Sequence, residues 1–467
     1  MITGKDLKQW KVPEGKVYGV ILSFINDIEL HKKQLKSLVK DIVKSPENYI
    51  HDEDWGEVAK LLLPPVNPMK ELNKVGCTLE IFGKDLIEEG ALDQINVASK
   101  LPPSLKAACM PDGHQGYGLP IGGVLATDNV VIPYAVGVDI GCRMHMTITD
   151  IPFHEVKGQR DRIKNILIDN TKFGVGEGGA PNKDHPILDD DRFGINYEIS
   201  NLRDKAIDQI GSSGSGNHFV NIGYVVCSEK GIDVPYLTIL SHSGSRGLGA
   251  AIASMFTDVA TKTCKLPKEA KHLAWLPLDS AAGQDYWDAM NLAGDYAKAN
   301  HEVLHERLVK GLKAKSQEVI QNHHNFAWKE DVELDDGTIR EAIVHRKGAT
   351  PAGKGVVGII PGSMTAPSYI VSGLGSSKSI NSSSHGAGRV MSRKKAHESI
   401  TKSYMQNDLE SADVVLVGGD LDECDAAYKD IDEVMERQTD LVKVIGKFTP
   451  WLVRMATKEE SNWRKKG

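Results

Sequence analysis

The chain has 467 residues, with 56 Lys and Arg against 63 Asp and Glu, a net charge of −7 and 40 % hydrophobic residues. This apolar content excludes disorder for most of the chain, and no apolar run approaches the roughly 20 residues of a membrane span. The acidic balance argues against nucleic-acid binding over the whole surface but is compatible with a local basic groove.

The elements predicted along the chain mix strands and helices without strict alternation. The hydrophobic pattern predicts a strand over 17–22, an amphipathic helix over 28–43, a break at 64–68, a helix over 84–101, a strand over 130–136, a strand over 237–240, a helix over 281–315 and a strand over 356–360. This order favours an α+β fold over a doubly wound sheet. Residues 1–70 differ from the rest, and we expect them to form a divergent segment that packs on or leads into a core of residues 71–467.

The cysteines and the first residues bear on the compartment. Six cysteines are scattered through the chain without any C-x-x-C pair. Residues 1–6 lack the apolar core of a secretory signal. We therefore expect a reducing, cytoplasmic setting, in which a special cysteine is a metal ligand or a nucleophile rather than half of a disulfide.

Glycine is clustered beside residues that can carry chemistry. The chain has 45 glycines, and they concentrate at 113–123, 137–141, 211–216, 244–249, 348–375 and 386–388. Each cluster adjoins a His, Asp, Cys or Arg. Since glycine-rich turns allow backbone N–H groups to approach a ligand closely, the pattern predicts several loops that converge on one site.

Five segments, four of them beside these glycine clusters, carry side chains suited to a metal or a phosphate. In chain order they hold Asp139 and Cys142, Asn217 and His218, His242 and Arg246, His323 and His324, and His385 and Arg389. Each pair alone also fits a structural role, such as a buried cysteine in a turn or the N-cap of a helix. Together they predict a metal-assisted phosphoryl or nucleotidyl transfer site, with Arg246 and Arg389 holding phosphates.

One further pattern points to a different chemistry. His301, Glu302 and His305 match the H-E-x-x-H motif of zinc peptidases and lie in a predicted helix. No third ligand follows at a familiar spacing, and charged positions on an amphipathic helix produce the same pattern. The peptidase is therefore kept only as an alternative. No Walker A motif is present, and Gly214-Ser215-Gly216 does not extend to a G-x-G-x-x-G motif.

The motifs taken together resemble those of the RtcB family, the RNA-splicing ligases that use GTP and manganese. The matching segments are 110–118, 137–142, 216–219, 242–247, 323–325, 346–349, 361–364, 384–389 and 427–430, in the family's order. The resemblance covers roughly residues 85–458. It implies one large α+β domain, with mixed or antiparallel sheets and surrounding helices, instead of the three domains that the length suggests.

The resemblance also implies the site residues. Two Mn²⁺ ions would be held by Asp139, Cys142, His218, His242 and His324, with the Cys142 thiolate bridging. His385 is the implied nucleophile, and Arg246 and Arg389 are implied phosphate and RNA contacts. The implied guanylate site comprises Asn217, Asn221, His324, Asn325, Pro361, Gly362, Ser363, Met364, Ser368, His385, Gly386, Ala387, Gly388, Tyr428 and Lys458. Ligand softness alone would favour zinc, so manganese follows from the resemblance.

Two positions depart from the family pattern. Asn221 stands where members usually carry Glu, and an amide accepts hydrogen bonds from a guanine edge less strongly than a carboxylate. Family chains usually end in Lys-Gly, with the lysine contacting the nucleotide. Lys458 has the better spacing from Tyr428, whereas Lys466 reproduces the terminal pair. We select Lys458.

The activity implied by the resemblance is RNA joining. A 2′,3′-cyclic phosphate or 3′-phosphate end would be linked to a 5′-hydroxyl end, in tRNA splicing or RNA repair, through GMP carried on His385. Some family members rely on archease as a partner. Two alternatives remain open at this point: a metal-dependent 2′,3′-cyclic phosphodiesterase, and a catalytically silent protein that binds RNA ends.

Overall fold

Two compact units, Met1–Pro68 and Met69–Gly467, make up the chain. The structure is a computed structural model that describes residues 2–63, 68–174 and 185–461. The predicted break at 64–68 falls on residues that lie, except for Pro68, outside the described ranges.

The first unit is helical. Its α-helices are α1 (Gly4–Gln9), α2 (Lys16–Phe24), α3 (Lys32–Lys44) and α4 (Gly56–Leu62). The strand predicted over 17–22 is wrong, because this segment lies within α2. Val17, Ile21 and Ile25 are buried and recur every four residues, so they form one helical face despite their β-branched character. The helix predicted over 28–43 is confirmed as α3, which begins later, at Lys32.

The second unit combines many strands with helices. The strands are β1 (Thr78–Ile81), β2 (Ser104–His114), β3 (Ile121–Thr127), β4 (Val130–Val131), β5 (Arg143–Pro152), β6 (Phe219–Cys227), β7 (Ile232–Ser243), β8 (Leu276–Pro277), β9 (Ser316–His323), β10 (Asn325–Glu333), β11 (Ile339–Lys347), β12 (Ala349–Pro351), β13 (Val357–Pro361), β14 (Ser368–Gly373), β15 (Ser382–Ser384), β16 (Val415–Val417) and β17 (Val442–Met455). The helices are α5 (Glu89–Ser99), α6 (Pro133–Val136), α7 (Phe153–Val156), α8 (Arg160–Asn170), α9 (Tyr197–Ser200), α10 (Arg203–Gln209), α11 (Arg246–Thr263), α12 (Ala281–Leu312), α13 (Arg393–Ser399), α14 (Lys402–Ser411), α15 (Ile431–Glu436) and α16 (Lys458–Ser461).

Two large sheets organise this unit. The first has eight strands in the order β13-β14-β17-β6-β7-β5-β9, with β16 beside β17. Its neighbours are antiparallel except for the parallel pair of β16 and β17. The second sheet has the order β1-β2-β3-β11-β10 and is antiparallel except for β1 and β2. Mixed sheets with surrounding helices confirm the predicted α+β class.

The eight-stranded sheet has two different faces. On one face Ile239 of β7 packs with Leu304 and Leu308 of the long helix α12. On the other face Met144 and Leu240 pack within the sheet's second core. Because side chains alternate along a strand, neighbouring residues of β5 and β7 point to opposite sides of this sheet. This alternation separates the two histidine clusters described below.

Several predicted elements of this unit are confirmed, and two need correction. The strands over 237–240 and 356–360 and the helix over 281–315 correspond to β7, β13 and α12. The strand predicted over 130–136 is wrong beyond Val131, because Pro133 begins the short helix α6. Proline lacks an N–H, and its fixed φ suits the first turn of a helix. The helix predicted over 84–101 is interrupted, and α5 begins only at Glu89.

None of the helices within residues 2–63, 68–174 and 185–461 combines the length and the apolar character needed to cross a bilayer.

Candidate active site

A glycine turn before β5 presents the first two predicted metal ligands. Asp139 and Cys142 lie between α6 and β5, on either side of Gly141. Gly141 has φ +70°, and a Cβ there would lie 2.8 Å from the Cα of Gly294 in α12. Only glycine fits this close approach. The turn thus places both side chains at the end of the eight-stranded sheet.

The five predicted metal ligands converge at this end of the sheet. Cys142 Sγ lies 3.1 Å from His242 Nε2 and 3.6 Å from His218 Nε2. His242 Nε2 lies 3.2 Å from His324 Nε2, and His218 Nε2 lies 3.0 Å from an Asp139 carboxylate oxygen. One sulfur, three imidazole nitrogens and one carboxylate oxygen therefore face one another. We call these five side chains the front cluster.

Burial keeps His242 and His324 of the front cluster neutral. It lowers the pKa of His242 to about 3 and that of His324 well below the ordinary value. His242 Nδ1 donates to the Asn217 carbonyl oxygen at 3.0 Å, which leaves the Nε2 lone pair directed at Cys142. The imidazole therefore has the protonation state of a metal ligand, and its other nitrogen has the backbone partner that commonly orients such ligands.

The acidic members of the cluster carry opposite pKa shifts. Burial, and then the nearby Asp139 carboxylate, raises the pKa of the Cys142 thiol well above its ordinary value. Burial also works to raise the pKa of Asp139, but His218 outweighs it and holds that pKa below the ordinary range.

The donor set fits a divalent metal ion. The ligand atoms of Cys142, His218 and His242 all lie within 4.8 Å of one another. Among the described residues, Nδ1 of His218 and Nδ1 of His324 have no hydrogen-bond partner despite being buried. Convergent sulfur, nitrogen and carboxylate donors are typical of a metal site.

His385 lies beside this cluster and is held by a buried carboxylate. It follows β15, and its ring centroid is 5.0 Å from that of His324. His385 Nδ1 donates to Asp112 Oδ2 at 2.6 Å, and the backbone N–H groups of His385 and Gly386 donate to the same oxygen at 3.0 and 3.3 Å. A neutral imidazole that donates from Nδ1 keeps its lone pair at Nε2. The ring is thus oriented and retains one nucleophilic nitrogen.

Asp112 is a buried residue of this candidate site to which the sequence patterns gave no role. Burial works to raise its pKa, but His385 and then Lys429 outweigh this and hold the pKa below the ordinary range. Lys429 Nζ in turn donates to the carbonyl oxygens of Pro111 and Gly113. The available signal was the Asp112 carboxylate within the segment 110–118, a segment that supported the resemblance.

A cavity of about 710 Å³ opens in front of His385. Most of the predicted guanylate residues line it, together with one predicted phosphate contact: Asn217, Asn221, Pro361, Gly362, Ser363, Met364, His385, Gly386, Ala387, Gly388, Arg389 and Tyr428. The volume is in the range of ligand pockets. Asn221 is buried on β6, and its Oδ1 lacks a hydrogen-bond partner among the described residues. The cavity therefore offers an unused acceptor.

Glu423 is another residue that lines the cavity and that no sequence pattern singled out. Its carboxylate accepts a hydrogen bond from the Tyr428 hydroxyl and pairs with Arg393. Arg389 Nη1 lies 3.3 Å from the Tyr428 hydroxyl oxygen and 3.7 Å from Glu423. These contacts hold Tyr428 and Arg389 together on one wall of the cavity.

The structure places four other predicted residues away from this lining. Asn325 accepts from the Gly348 N–H at 2.8 Å and donates to the Asp139 carbonyl oxygen at 3.3 Å, so it supports the turn that carries Asp139 and Cys142. Arg246 donates to Ser212 Oγ at 3.2 Å.

The remaining two are a serine and a lysine. Ser368 is buried at the start of β14. Lys458 is 70 % exposed and pairs with Asp420 at 3.1 Å. The alternative lysine, Lys466, lies outside the described residues. The roles assigned to these side chains stay predictions.

The H-E-x-x-H histidines lie behind the sheet and are fully hydrogen-bonded. His301 Nε2 donates to the Ser243 carbonyl oxygen at 3.1 Å, so its Nδ1 accepts from the Ser241 hydroxyl at 2.7 Å. The Ser241 oxygen must then accept from His305 Nε2 at 2.7 Å, and His305 Nδ1 accepts from Thr147 at 2.8 Å. Neither ring retains a lone pair for a metal. This saturation argues against the peptidase alternative.

Comparison with known proteins points in the same direction as the geometry. The family model described as tRNA-splicing ligase RtcB matches residues 94–456. The tRNA-splicing ligase RtcB of Nanoarchaeum equitans is 32 % identical over 456 residues, covering 81 % of this chain and 95 % of the relative. The RNA-splicing ligase RtcB of Escherichia coli K12 is 34 % identical over 392 residues, covering 77 % and 92 %. The Mycobacterium tuberculosis RNA-splicing ligase RtcB is 30 % identical, covering 76 % and 98 %. With a family model that matches most of its length and relatives above 30 % identity, the chain belongs to the RtcB family of tRNA-splicing ligases.

Proposed function

We propose that the chain is a GTP- and Mn²⁺-dependent RNA ligase that joins 2′,3′-cyclic phosphate or 3′-phosphate ends to 5′-hydroxyl ends through GMP carried on His385. The observation that carries the proposal is the oriented His385 imidazole, anchored at Nδ1 by Asp112 and bordered by both the front cluster and the cavity. Membership in the RtcB family supports the same reaction class.

The first chemical step uses the free nitrogen of His385. Its Nε2 lone pair attacks the α-phosphorus of GTP, a P–N bond forms, the bond to the β-phosphate oxygen breaks, and pyrophosphate leaves. Positive charge develops on the imidazole as this bond forms. The Asp112 carboxylate, 2.6 Å from Nδ1, stabilises that charge and holds the ring in place. Arg389 on the cavity wall is available for the phosphates.

The cavity supports recognition of guanine through its unused acceptor. A guanine edge presents the N1–H and N2–H donors, and buried Asn221 Oδ1 is an acceptor without a partner among the described residues. Adenine has no hydrogen on N1 and therefore offers a different edge. We assign Asn221 to the base, with Asn217, Ser363 and Tyr428 as further contacts on the cavity wall.

The front cluster is the proposed site of the two Mn²⁺ ions. When bound by Asp139, Cys142, His218, His242 and His324, the metal would neutralise phosphate charge next to His385. The chain's own contribution is orientation: the Asn217 carbonyl fixes His242, and Asn325 holds the turn that carries Asp139.

The later steps follow the family's chemistry. GMP passes from His385 to an RNA 3′-phosphate, a 5′-hydroxyl attacks the activated phosphate, and GMP leaves as the 3′,5′ bond forms. We propose split tRNA or damaged RNA as the substrate and archease as a helper. We further propose that residues 71–467 form the catalytic domain and that residues 1–70 are a divergent N-terminal segment that packs on it or leads into it. Six unpaired cysteines support a reducing, cytoplasmic setting.

The decisive test is covalent labelling. The purified full chain is incubated with α-labelled GTP and Mn²⁺, beside His385→Ala and a control, His154→Ala, which removes an exposed histidine on α7. We expect acid-labile label on the wild type and the control and none on His385→Ala. ATP in parallel reports the base preference set by Asn221. Absence of label from both nucleotides, with metal bound, would contradict the ligase and favour the phosphodiesterase or the silent RNA-end binder.

A second variant tests the anchoring carboxylate. Asp112→Asn preserves the shape but removes the charge that balances the imidazolium. We expect labelling to slow by about 10²-fold or more, as for other carboxylate–imidazole pairs. An unchanged rate would contradict the role given to Asp112.

A further inference from the structure

An exposed tyrosine lies at the rim of the cavity. Tyr117 follows β2 in the segment Gln115–Gly118, and its side chain is 67 % exposed although it lines the cavity that also contains His385. A large aromatic ring left in solvent beside a reaction centre is a candidate contact surface. Nothing in the chemistry proposed for GTP uses it.

Two further rings support Tyr117 from behind. The Tyr117 centroid lies 5.8 Å from that of His272 and 6.3 Å from that of Tyr134, both in edge-to-face geometry. His272 and Tyr134 are 5.2 Å apart. Burial, followed by Lys271 and Lys347, lowers the pKa of His272, which favours the neutral imidazole. We call Tyr117, Tyr134 and His272 the aromatic rim.

The loop that carries Tyr117 is held by side chains on both sides. Gln94 accepts from the Gly116 N–H at 3.0 Å and donates to the Gly116 carbonyl oxygen at 2.6 Å. Glu88 accepts from the Gln115 N–H at 2.7 Å. Lys347 Nζ donates to the Tyr117 carbonyl oxygen at 2.6 Å. The ring is therefore presented by a fixed backbone, which lowers the entropy lost when a ligand binds.

We propose that the aromatic rim is a stacking platform, on Tyr117, for an unpaired nucleobase of an RNA strand whose end enters the cavity. Single-stranded RNA is recognised by stacking of its bases on exposed aromatic rings, and this contact tolerates any sequence because every base has a π-face. The net charge of −7 makes a non-electrostatic contact valuable for a protein that must hold RNA. The inference rests on the proposed function.

A double-mutant cycle tests the proposal in binding, without turnover. The full chain is loaded with Mn²⁺ in the absence of GTP, and binding of short single-stranded RNAs with a distal fluorophore is followed by anisotropy. Tyr117→Ala should weaken binding about 5- to 150-fold, the range for loss of one stacked base. Tyr117→Phe should stay within about twofold of the wild type because it keeps the ring.

The second arm of the cycle removes the base instead of the ring. An abasic site near the 3′-phosphate end, or near the 5′-hydroxyl end of a second RNA, should weaken binding to the wild type but not to Tyr117→Ala. The RNA that shows this coupling identifies the strand on the platform. Tyr197→Ala is the matched control, because Tyr197 is 78 % exposed on α9 and does not line the cavity.

Other outcomes overturn the inference. Wild-type affinity in Tyr117→Ala, equal losses for intact and abasic RNA, or no RNA binding by the wild type would each contradict it. Labelling of the same variants with α-labelled GTP separates the alternatives. Reduced labelling with unchanged RNA binding would assign the ring to the guanine base. If the coupling between the Tyr117 ring and the RNA base is observed but the wild type is not labelled by GTP, the platform is supported and the ligase proposal is contradicted.

Discussion

Two histidine clusters lie on opposite faces of the same eight-stranded sheet and differ in their hydrogen bonds. The front cluster contains His218, His242 and His324 around Cys142. The back cluster, which we define as His145, His301 and His305, lies between β5, β7 and α12. In both clusters burial lowers the pKa of histidines, so neither proximity nor protonation state distinguishes them.

The difference lies in the hydrogen bonds. His301 and His305 use both ring nitrogens in a chain that runs through Ser241 and ends at the Ser243 carbonyl oxygen and Thr147. His242 uses one nitrogen on a backbone carbonyl and directs the other at a thiol. A pair of histidines is therefore a candidate metal site only where lone pairs remain, and the saturated pair His301 and His305 contributes to stability instead. His145 Nδ1 has no hydrogen-bond partner among the described residues, but no second free imidazole nitrogen of the back cluster faces it.

The largest expected effect comes from removing the centre of the front cluster. Cys142→Ser replaces the sulfur that faces His218 and His242 with a harder, shorter donor. Loss of a residue that only orients a metal ligand lowers affinity by up to about 100-fold. Because Cys142 is itself a proposed ligand, we expect Mn²⁺ affinity to fall by at least that factor. Equilibrium dialysis measures it, with Cys77→Ser as control. Unchanged affinity in Cys142→Ser would mean that the metal is held elsewhere.

The back cluster should respond in stability and not in metal binding. Ser241→Ala leaves His301 Nδ1 and His305 Nε2 buried without their shared partner. At about 1–3 kcal/mol for each unsatisfied group, the free energy of unfolding of the metal-free protein should fall by about 2 kcal/mol or more, while Mn²⁺ affinity changes by less than about tenfold. Urea unfolding and dialysis report the two quantities.

The matched control for this variant is Ser383→Ala. Ser383 is also fully buried, but its hydroxyl has no hydrogen-bond partner among the described residues, so its removal should cost little. If Ser241→Ala lost much of its Mn²⁺ affinity while remaining as stable as Ser383→Ala, the two faces of the sheet would not differ in function.

The smallest effect is a change in the pH dependence of stability. Burial, followed by Arg143 and Lys298, lowers the pKa of His145 to about 4, below the value of about 6.5 in an unfolded chain. The unfolded state therefore binds a proton first as the pH falls. The stability contributed by neutral His145 is complete above about pH 6.5 and is lost as the pH approaches 4.

Replacement of this histidine isolates its contribution. In His145→Gln, the decrease in unfolding free energy of the metal-free protein between pH 6.5 and 4.5 should be smaller by up to about 2 kcal/mol. Urea titrations across this range measure it, with His154→Gln as the exposed control. Parallel curves for wild type and His145→Gln would show that the back cluster does not hold its histidine neutral.

Much of the site could be predicted from local sequence, because glycine turns beside Asp, Cys and His are short-range features. They indicated Asp139, Cys142, His218 and His242, whereas the mixed order of strands and helices indicated the α+β class. Local sequence failed where long-range packing decides. Residues 17–22 include the β-branched Val17, Val20 and Ile21, which favour a strand. The four-residue spacing of buried Val17, Ile21 and Ile25 instead fits a helical face that packs within the first unit.

The sequence by itself determined which chemical groups are available: a thiol, a carboxylate, several imidazoles and the turns that present them. Only the tertiary structure decided which of those groups remain free to react. His385 receives its anchoring carboxylate from Asp112, 273 positions away, and His301 and His305 receive partners from strands some 60 to 160 positions away. Hydrogen-bond partners that distant are set by how the sheets and α12 pack, and no local pattern encodes them.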